Sequence, residues 1–181
     1  MAVRMTVAGG AGGPGCGLEI IAPLSGRVVD LAEVPDEAFA SGTVGPGVAV
    51  APSEGVIVAP VDGVVAAVVS TGHAVGFATS GGIELLVHVG IDTVKVPHVD
   101  RFFTFFVKQG DVVERGQPVA DFDLEGLRGT GAILISPVVL TAPRDSARVS
   151  AARWPRTVMA GVDVVFSVIR EGPVAFGRVR V

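Results

Sequence analysis

Two histidines carry the chemistry open to this sequence. His88 stands inside the apolar run Leu85-Leu86-Val87-His88-Val89, with Gly81-Gly82 just upstream. β-Formers at that density after paired glycines predict a strand buried on both faces or nearly so. His73 opens a second apolar run within Ser70-Thr71-Gly72-His73-Ala74-Val75. A single imidazole in such a strand is more often a hydrogen-bonded core residue than a catalyst. Two short antiparallel strands would bring both rings to one site. A neutral imidazole is a competent nucleophile near pH 7, provided its other nitrogen holds the proton against a fixed acceptor. Two adjacent imidazoles can also capture Zn²⁺, with a third ligand from a partner.

The order from Gly82 to Val94 is glycine, two residues, three aliphatics, His88, aliphatic, Gly90, aliphatic, Asp92, Thr93, aliphatic. It resembles, position for position, the active-site signature of the glucose-type enzyme IIA (EIIA) of the phosphoenolpyruvate-dependent sugar phosphotransferase system. Val58-Ala59-Pro60-Val61-Asp62-Gly63 and Thr71-Gly72-His73-Ala74 are similar to that family in sequence and spacing, and the similarity runs from about Ile21 to Val168. The resemblance implies a phosphotransferase component with a phosphohistidine intermediate. His88 would be phosphorylated at Nε2, with its Nδ1–H held by a backbone carbonyl, for which Gly90 is the matching position. His73 would donate its Nε2–H to the phosphate, and Thr71 would orient the second ring. The phosphoryl group would come from the histidine phosphocarrier protein and leave for a cysteine of a sugar-specific enzyme IIB, partner of the IIC permease. His98, after Pro97, departs from the family's glycine-rich turn and is expected at the surface.

An apolar rim would lower the local dielectric around a phosphohistidine, strengthen its few donors and exclude water. Phe39, Val44, Val75, Val89 and Val94 are the rim and partner-surface candidates, with burial in the core the alternative for each. Asp92 could repel the phosphate and favour its departure, or be a solvated turn residue.

Composition bounds the rest. A chain of 181 residues is long enough for one domain with a proper core. Hydrophobic residues are 49% of it and mean hydropathy is +0.60. No apolar segment approaches the ~20 residues a spanning helix needs, so no membrane insertion is expected. A net charge of −4 makes nucleic acid an unsuitable partner. The single cysteine, Cys16, excludes an internal disulfide and suits a reducing compartment. With 25 glycines and 12 prolines breaking valine and alanine runs, the expected fold is all-β: a compact antiparallel β-sandwich or flattened barrel with little helix.

The elements follow in order. Residues 1–17 form a glycine-rich arm, expected to be disordered and without a secretory core, which predicts a cytoplasmic protein. The folded domain is expected over 18–170, and 171–181 is a tail with no assigned role. Ala22-Pro23-Leu24-Ser25-Gly26 repeats as Ala59-Pro60-Val61-Asp62-Gly63. Each copy is followed by an apolar strand, and two copies too small to bury their own faces should pack together with pseudo-twofold character. Residues 34–40 read as one helical turn with Pro35 early in it, and 102–107 as an aromatic strand in the core.

Three other functions have partial support in the residues. A zinc hydrolase on a related scaffold would use His88 and Asp92 as an H-x-x-x-D pair, but the H-x-H that should complete the set is missing. A lipoyl or biotinyl carrier would need Met-Lys or Asp-Lys at a hairpin tip, and neither Lys95 nor Lys108 has that context. The apolar rim could also bind transporters or kinases in a phosphorylation-dependent way. The sequence does not say which sugar the pathway serves.

Overall fold

The computed structural model describes residues 17–142, 147–151 and 156–170. Valine and alanine runs cut short by glycine and proline give short strands. They are β1 (Leu18–Ile21), β2 (Gly26–Val29), β3 (Gly47–Pro52), β4 (Val56–Val58), β5 (Gly63–Val68), β6 (Ala74–Ala78), β7 (Glu84–His88) and β8 (Phe103–Phe105). After these come β9 (Val112–Val113), β10 (Pro118–Phe122), β11 (Ser136–Ala142), β12 (Ala147–Ala151), β13 (Arg156–Val158) and β14 (Val164–Arg170). Two short helices, α1 (Glu37–Ala40) and α2 (Leu124–Gly129), and three 3₁₀ turns complete the described chain.

The strands form an antiparallel sandwich. One eight-stranded sheet has the order β13-β2-β3-β11-β7-β6-β5-β9, and two three-stranded sheets have the orders β1-β14-β12 and β4-β10-β8. None closes on itself, so the flattened-barrel form of the expectation gives way to the sandwich. The glycine-rich arm, except Gly17, and the tail 171–181 lie outside the described residues.

The repeat is visible as reciprocal hydrogen bonding. Ile21 N–H donates to the Pro60 carbonyl (3.2 Å) and the equivalent Val58 N–H to the Pro23 carbonyl (2.9 Å). Gly161 N–H donates to Ala22 and Gly116 N–H to Ala59, so each Ala-Pro corner is closed by a glycine turn from elsewhere in the chain. The glycine that ends each copy is required by a close approach. A Cβ on Gly26 would lie 2.1 Å from the Ala51 carbonyl oxygen, and one on Gly63 would lie 2.2 Å from that of Ala78.

Strand periodicity divides the interior in two. Val28, Val48, Val50, Leu85, Val87, Val138 and Leu140 face the main core between the sheets. Their neighbours Val29, Ala49 and Val139 face the other side of the large sheet. There they pack with Leu31, Val34, Phe39 and Ile91 in a second, smaller cluster. The segment from Leu31 to Val44 therefore caps the outer face of the sheet. Its helix starts later than the sequence reading placed it: Asp36 is the N-cap, its Oδ1 accepting from Ala38 N–H (2.9 Å) and Phe39 N–H (3.3 Å), so Pro35 precedes the helix. Such a cap contributes about 1 kcal/mol.

Several rim and core expectations change in the folded chain. Val75 and Val89 are fully buried. Val89 neighbours His88 in a strand-like stretch and so faces the opposite side from the ring. Val75 pairs with Val87 and shares its core-facing side. Phe39 is also buried, in the second cluster, while Val44 is half-buried against it. Of the five rim candidates, Val94 is the one that stands well exposed. The aromatic run is only partly core: Phe103 stacks on Phe122, but Phe106 is 55% exposed.

Candidate functional site

β6 and β7 bring the two histidines together. Their antiparallel register sets Ala74 opposite His88 and Val75 opposite Val87. The Val89 N–H then donates to the His73 carbonyl at 2.7 Å, which carries the ladder one step past both strand ends. The ring centroids of His73 and His88 lie 4.8 Å apart with planes at 73°. Phe39 closes another side of His88, its ring centroid 5.3 Å away. The site therefore sits on the outer face of the sheet, beside the second cluster. His73 is 8% exposed and His88 is half-buried.

Each ring has its Nδ1 engaged. His88 Nδ1 lies 2.8 Å from the Gly90 carbonyl oxygen. A carbonyl only accepts, so Nδ1 carries the proton and the neutral ring keeps its lone pair on Nε2. His73 Nδ1 lies 2.6 Å from Thr71 Oγ1. When that hydroxyl donates to Nδ1, the neutral ring carries its proton on Nε2, as a donor. The turn from Val69 to Ala74 presents both residues, with Gly72 N–H bonded to the Val69 carbonyl and Val69 N–H to that of Ala74. Thr71 and Gly90 thus stand where the sequence reading put them.

Burial lowers the pKa of both imidazoles below the ordinary histidine value. The neighbouring His88 lowers that of His73 further, since a second positive charge nearby is unfavourable. For His88 the Gly90 carbonyl, and after it the Asp36 carboxylate, pull the other way without overcoming burial. Both shifts favour the neutral rings at neutral pH.

Asp36 is a residue the sequence reading missed as part of the site. Its visible signal was only that of an acid opening a helical turn, and its action on His88 depends on that turn folding over the sheet. Asp92 takes the solvated role: its carboxylate pairs with Lys95 Nζ at 2.7 Å, its side chain is 58% exposed, and its backbone is left-handed (φ 57°). His98 is exposed, as expected. Among the described residues no three His, Cys, Asp or Glu side chains gather as a metal site. No helix among the described residues is long and apolar enough to cross a membrane.

Comparison with known proteins places this geometry. Residues 18–146 match the family model described as phosphoenolpyruvate-dependent sugar phosphotransferase system, EIIA 1. The chain is 45% identical over 122 residues to a glucose-specific EIIA component of Halalkalibacterium halodurans, covering 67% of this chain and 69% of that one. It is 42% identical over 123 residues to a β-glucoside-specific EIIBCA component of the same organism, covering 68% of this chain and 19% of the relative. An N-acetylglucosamine-specific EIICBA component of Escherichia coli is 43% identical over 121 residues, covering 67% and 18%. The chain thus spans about a fifth of the length of these two multicomponent relatives. Glucose permease IIA from Mycoplasma capricolum superposes with a TM-score of 0.75 at 29% identity, covering 84% of this chain and 96% of that structure. With sequence and fold in agreement over most of its length, the chain belongs to the EIIA 1 family of the phosphoenolpyruvate-dependent sugar phosphotransferase system.

Proposed function

We propose that this chain is a phosphocarrier, accepting a phosphoryl group on His88 Nε2 from the histidine phosphocarrier protein and passing it to a cysteine of a sugar-specific enzyme IIB. The observation that carries the reading is the Gly90 carbonyl on Nδ1, which leaves Nε2 as the nucleophilic atom. In acceptance, the Nε2 lone pair forms an N–P bond as the bond to the donor's histidine breaks. Because Nδ1 keeps its proton, the phosphorylated ring is cationic, and the Gly90 carbonyl and Asp36 carboxylate both favour that charge. A cationic ring is a good leaving group. When the cysteine sulfur forms its S–P bond, the Nε2–P bond breaks and the neutral tautomer returns.

Phosphoryl transfer has a loose transition state, so the protein's work is positioning and neutralising the equatorial oxygens. His73 Nε2–H is the donor suited to that task, fixed by Thr71. The test follows a labelled phosphoryl group from phosphoenolpyruvate, through enzyme I and the phosphocarrier protein, to this chain and then to enzyme IIB of glucose, β-glucoside and N-acetylglucosamine type. One acid-labile, base-stable phosphoryl group per chain, passed on to at least one IIB cysteine, is the expected result. No adduct, or one that no IIB accepts, would contradict the reading.

The docking surface is probed at Val94, which is 55% exposed in the turn after Gly90. Val94→Asp is expected to slow acceptance from the phosphocarrier protein roughly tenfold while moving the melting temperature little. Phe39→Asp should instead unfold the second cluster, since that ring is 7% exposed. Stopped-flow acceptance and thermal melts on both variants separate the two effects. Equal thermal losses would place Val94 among the structural residues.

A further inference from the structure

We infer that Ser136 and Thr93 are positioning residues for His88, clamping the Val89–Gly90 peptide from both sides and so holding the carbonyl that fixes the ring's tautomer. Both side chains are fully buried. Gly90 N–H donates to Ser136 Oγ at 3.0 Å, and the Ser136 hydroxyl donates onward to the Leu134 carbonyl at 2.8 Å. On the other side of the same peptide, the Val89 carbonyl accepts from Thr93 Oγ1 at 2.6 Å. One peptide plane thus has its N–H and its C=O each held by a side-chain hydroxyl.

The reason for two hydroxyls lies in the chain path. β7 runs in register with β11, Val87 opposite Val138 and Leu86 opposite Val139, which places Ser136 across from the bend that follows His88. At Gly90 the backbone turns left-handed (φ 70°) and leaves the ladder, which resumes where Ile91 N–H donates to the Ile133 carbonyl at 2.7 Å. The Gly90 N–H would otherwise be a buried donor without a strand partner, and the Val89 carbonyl a buried acceptor without one. With both satisfied, the rotation of the Val89–Gly90 peptide is fixed. The next peptide starts from that fixed plane and has its own anchor in the Ile91 N–H bond to Ile133, and its carbonyl, that of Gly90, receives His88 Nδ1–H at 2.8 Å. Loss of either hydroxyl frees the Val89–Gly90 peptide to rotate, which leaves the Gly90 carbonyl held from the Ile91 side alone, and a carbonyl out of line lets the proton redistribute to Nε2, where the lone pair is needed. Neither hydroxyl needs to touch the phosphoryl group.

The kinetic part of this proposal rests on the phosphocarrier reading, but its primary readout does not. In protein carrying ¹⁵N-labelled histidine, long-range proton–nitrogen correlation reports the tautomer of each ring. Wild-type His88 is expected to show a protonated Nδ1 and a bare Nε2. Ser136→Ala and the near-isosteric Thr93→Val are each expected to move the His88 nitrogens toward a mixture of tautomers while leaving those of His73 in place. Ser136→Thr and Thr93→Ser, which keep the hydroxyl, should restore the wild-type pattern. Acceptance should fall roughly tenfold in the hydroxyl-lacking variants, with the KM for the phosphocarrier protein unchanged. Wild-type tautomers for His88 in both Ser136→Ala and Thr93→Val would overturn the proposal, as would equal shifts in both rings, the mark of general loosening. If the phosphocarrier reading itself failed, wild-type protein would take up no phosphoryl group, whatever the tautomer.

Discussion

Replacing His88 with glutamine is expected to abolish phosphoryl acceptance, whereas replacing His73 with glutamine leaves acceptance in place and slows the onward step by ~10²-fold. The two rings are neighbours, with centroids 4.8 Å apart, yet their hydrogen bonds give them different work. The Gly90 carbonyl commits His88 to a bare Nε2, and no amide nitrogen can replace that lone pair. His73 is held through Nδ1 by Thr71 and offers an N–H, which the glutamine amide imitates in reach but not in its capacity to carry charge. The difference should emerge when the phosphoryl group leaves His88 and its equatorial oxygens are most in need of a donor. Rapid-quench kinetics of both half-reactions distinguish the roles. If His73→Gln passes phosphoryl to enzyme IIB at the wild-type rate, His73 is a structural residue and the paired-imidazole mechanism is wrong.

The second large effect is expected from a single methyl group. Gly90 has a left-handed backbone (φ 70°), and a Cβ there would lie 2.6 Å from Thr93 Oγ1 and 2.7 Å from the Ile133 carbonyl oxygen. The left-handed conformation alone costs an alanine about 1 kcal/mol. The second contact is backbone, so relief requires the strand end to move. Gly90→Ala should therefore lose about 3 kcal/mol or more, on the order of 10 °C in melting temperature. It should also disturb the carbonyl that holds His88 Nδ1. Acceptance is expected to fall more than tenfold even at temperatures where the variant is folded. A melting temperature within two or three degrees of wild type, with full acceptance, would show that the turn tolerates a side chain and does not set the geometry of the ring.

What could be read of the fold followed from local pattern. Valine runs between glycines foretold short strands, and the two Ala-Pro corners foretold a duplicated core. Thr71 and Gly90 were singled out by the family resemblance, and each lies two residues from the histidine whose Nδ1 it meets. The rim was harder, for a reason of geometry. Val89 is adjacent to His88 in sequence and therefore faces away from it, and Val75 shares the core-facing side of Val87. Nearness to an active residue in a strand argues against sharing its face. Phe39 carries a mixed role that no spacing reveals, buried in a cluster and yet lying 5.3 Å from the His88 ring. Asp36 and Ser136 depend on contacts between distant segments. The Gly90–Ser136 bond spans 46 residues, and a serine at the head of an apolar strand gives no sign of it.

In a phosphocarrier of this geometry the phosphoryl group is expected on His88, bonded through Nε2. That placement is tested most directly on protein with ¹⁵N-labelled histidine, phosphorylated from phosphoenolpyruvate, by phosphorus–nitrogen coupling and long-range proton–nitrogen correlation. The account predicts one phosphorylated ring, His88, with phosphorus coupled to Nε2 and Nδ1 still protonated. Phosphorus on His73, or on Nδ1 of His88, would contradict it.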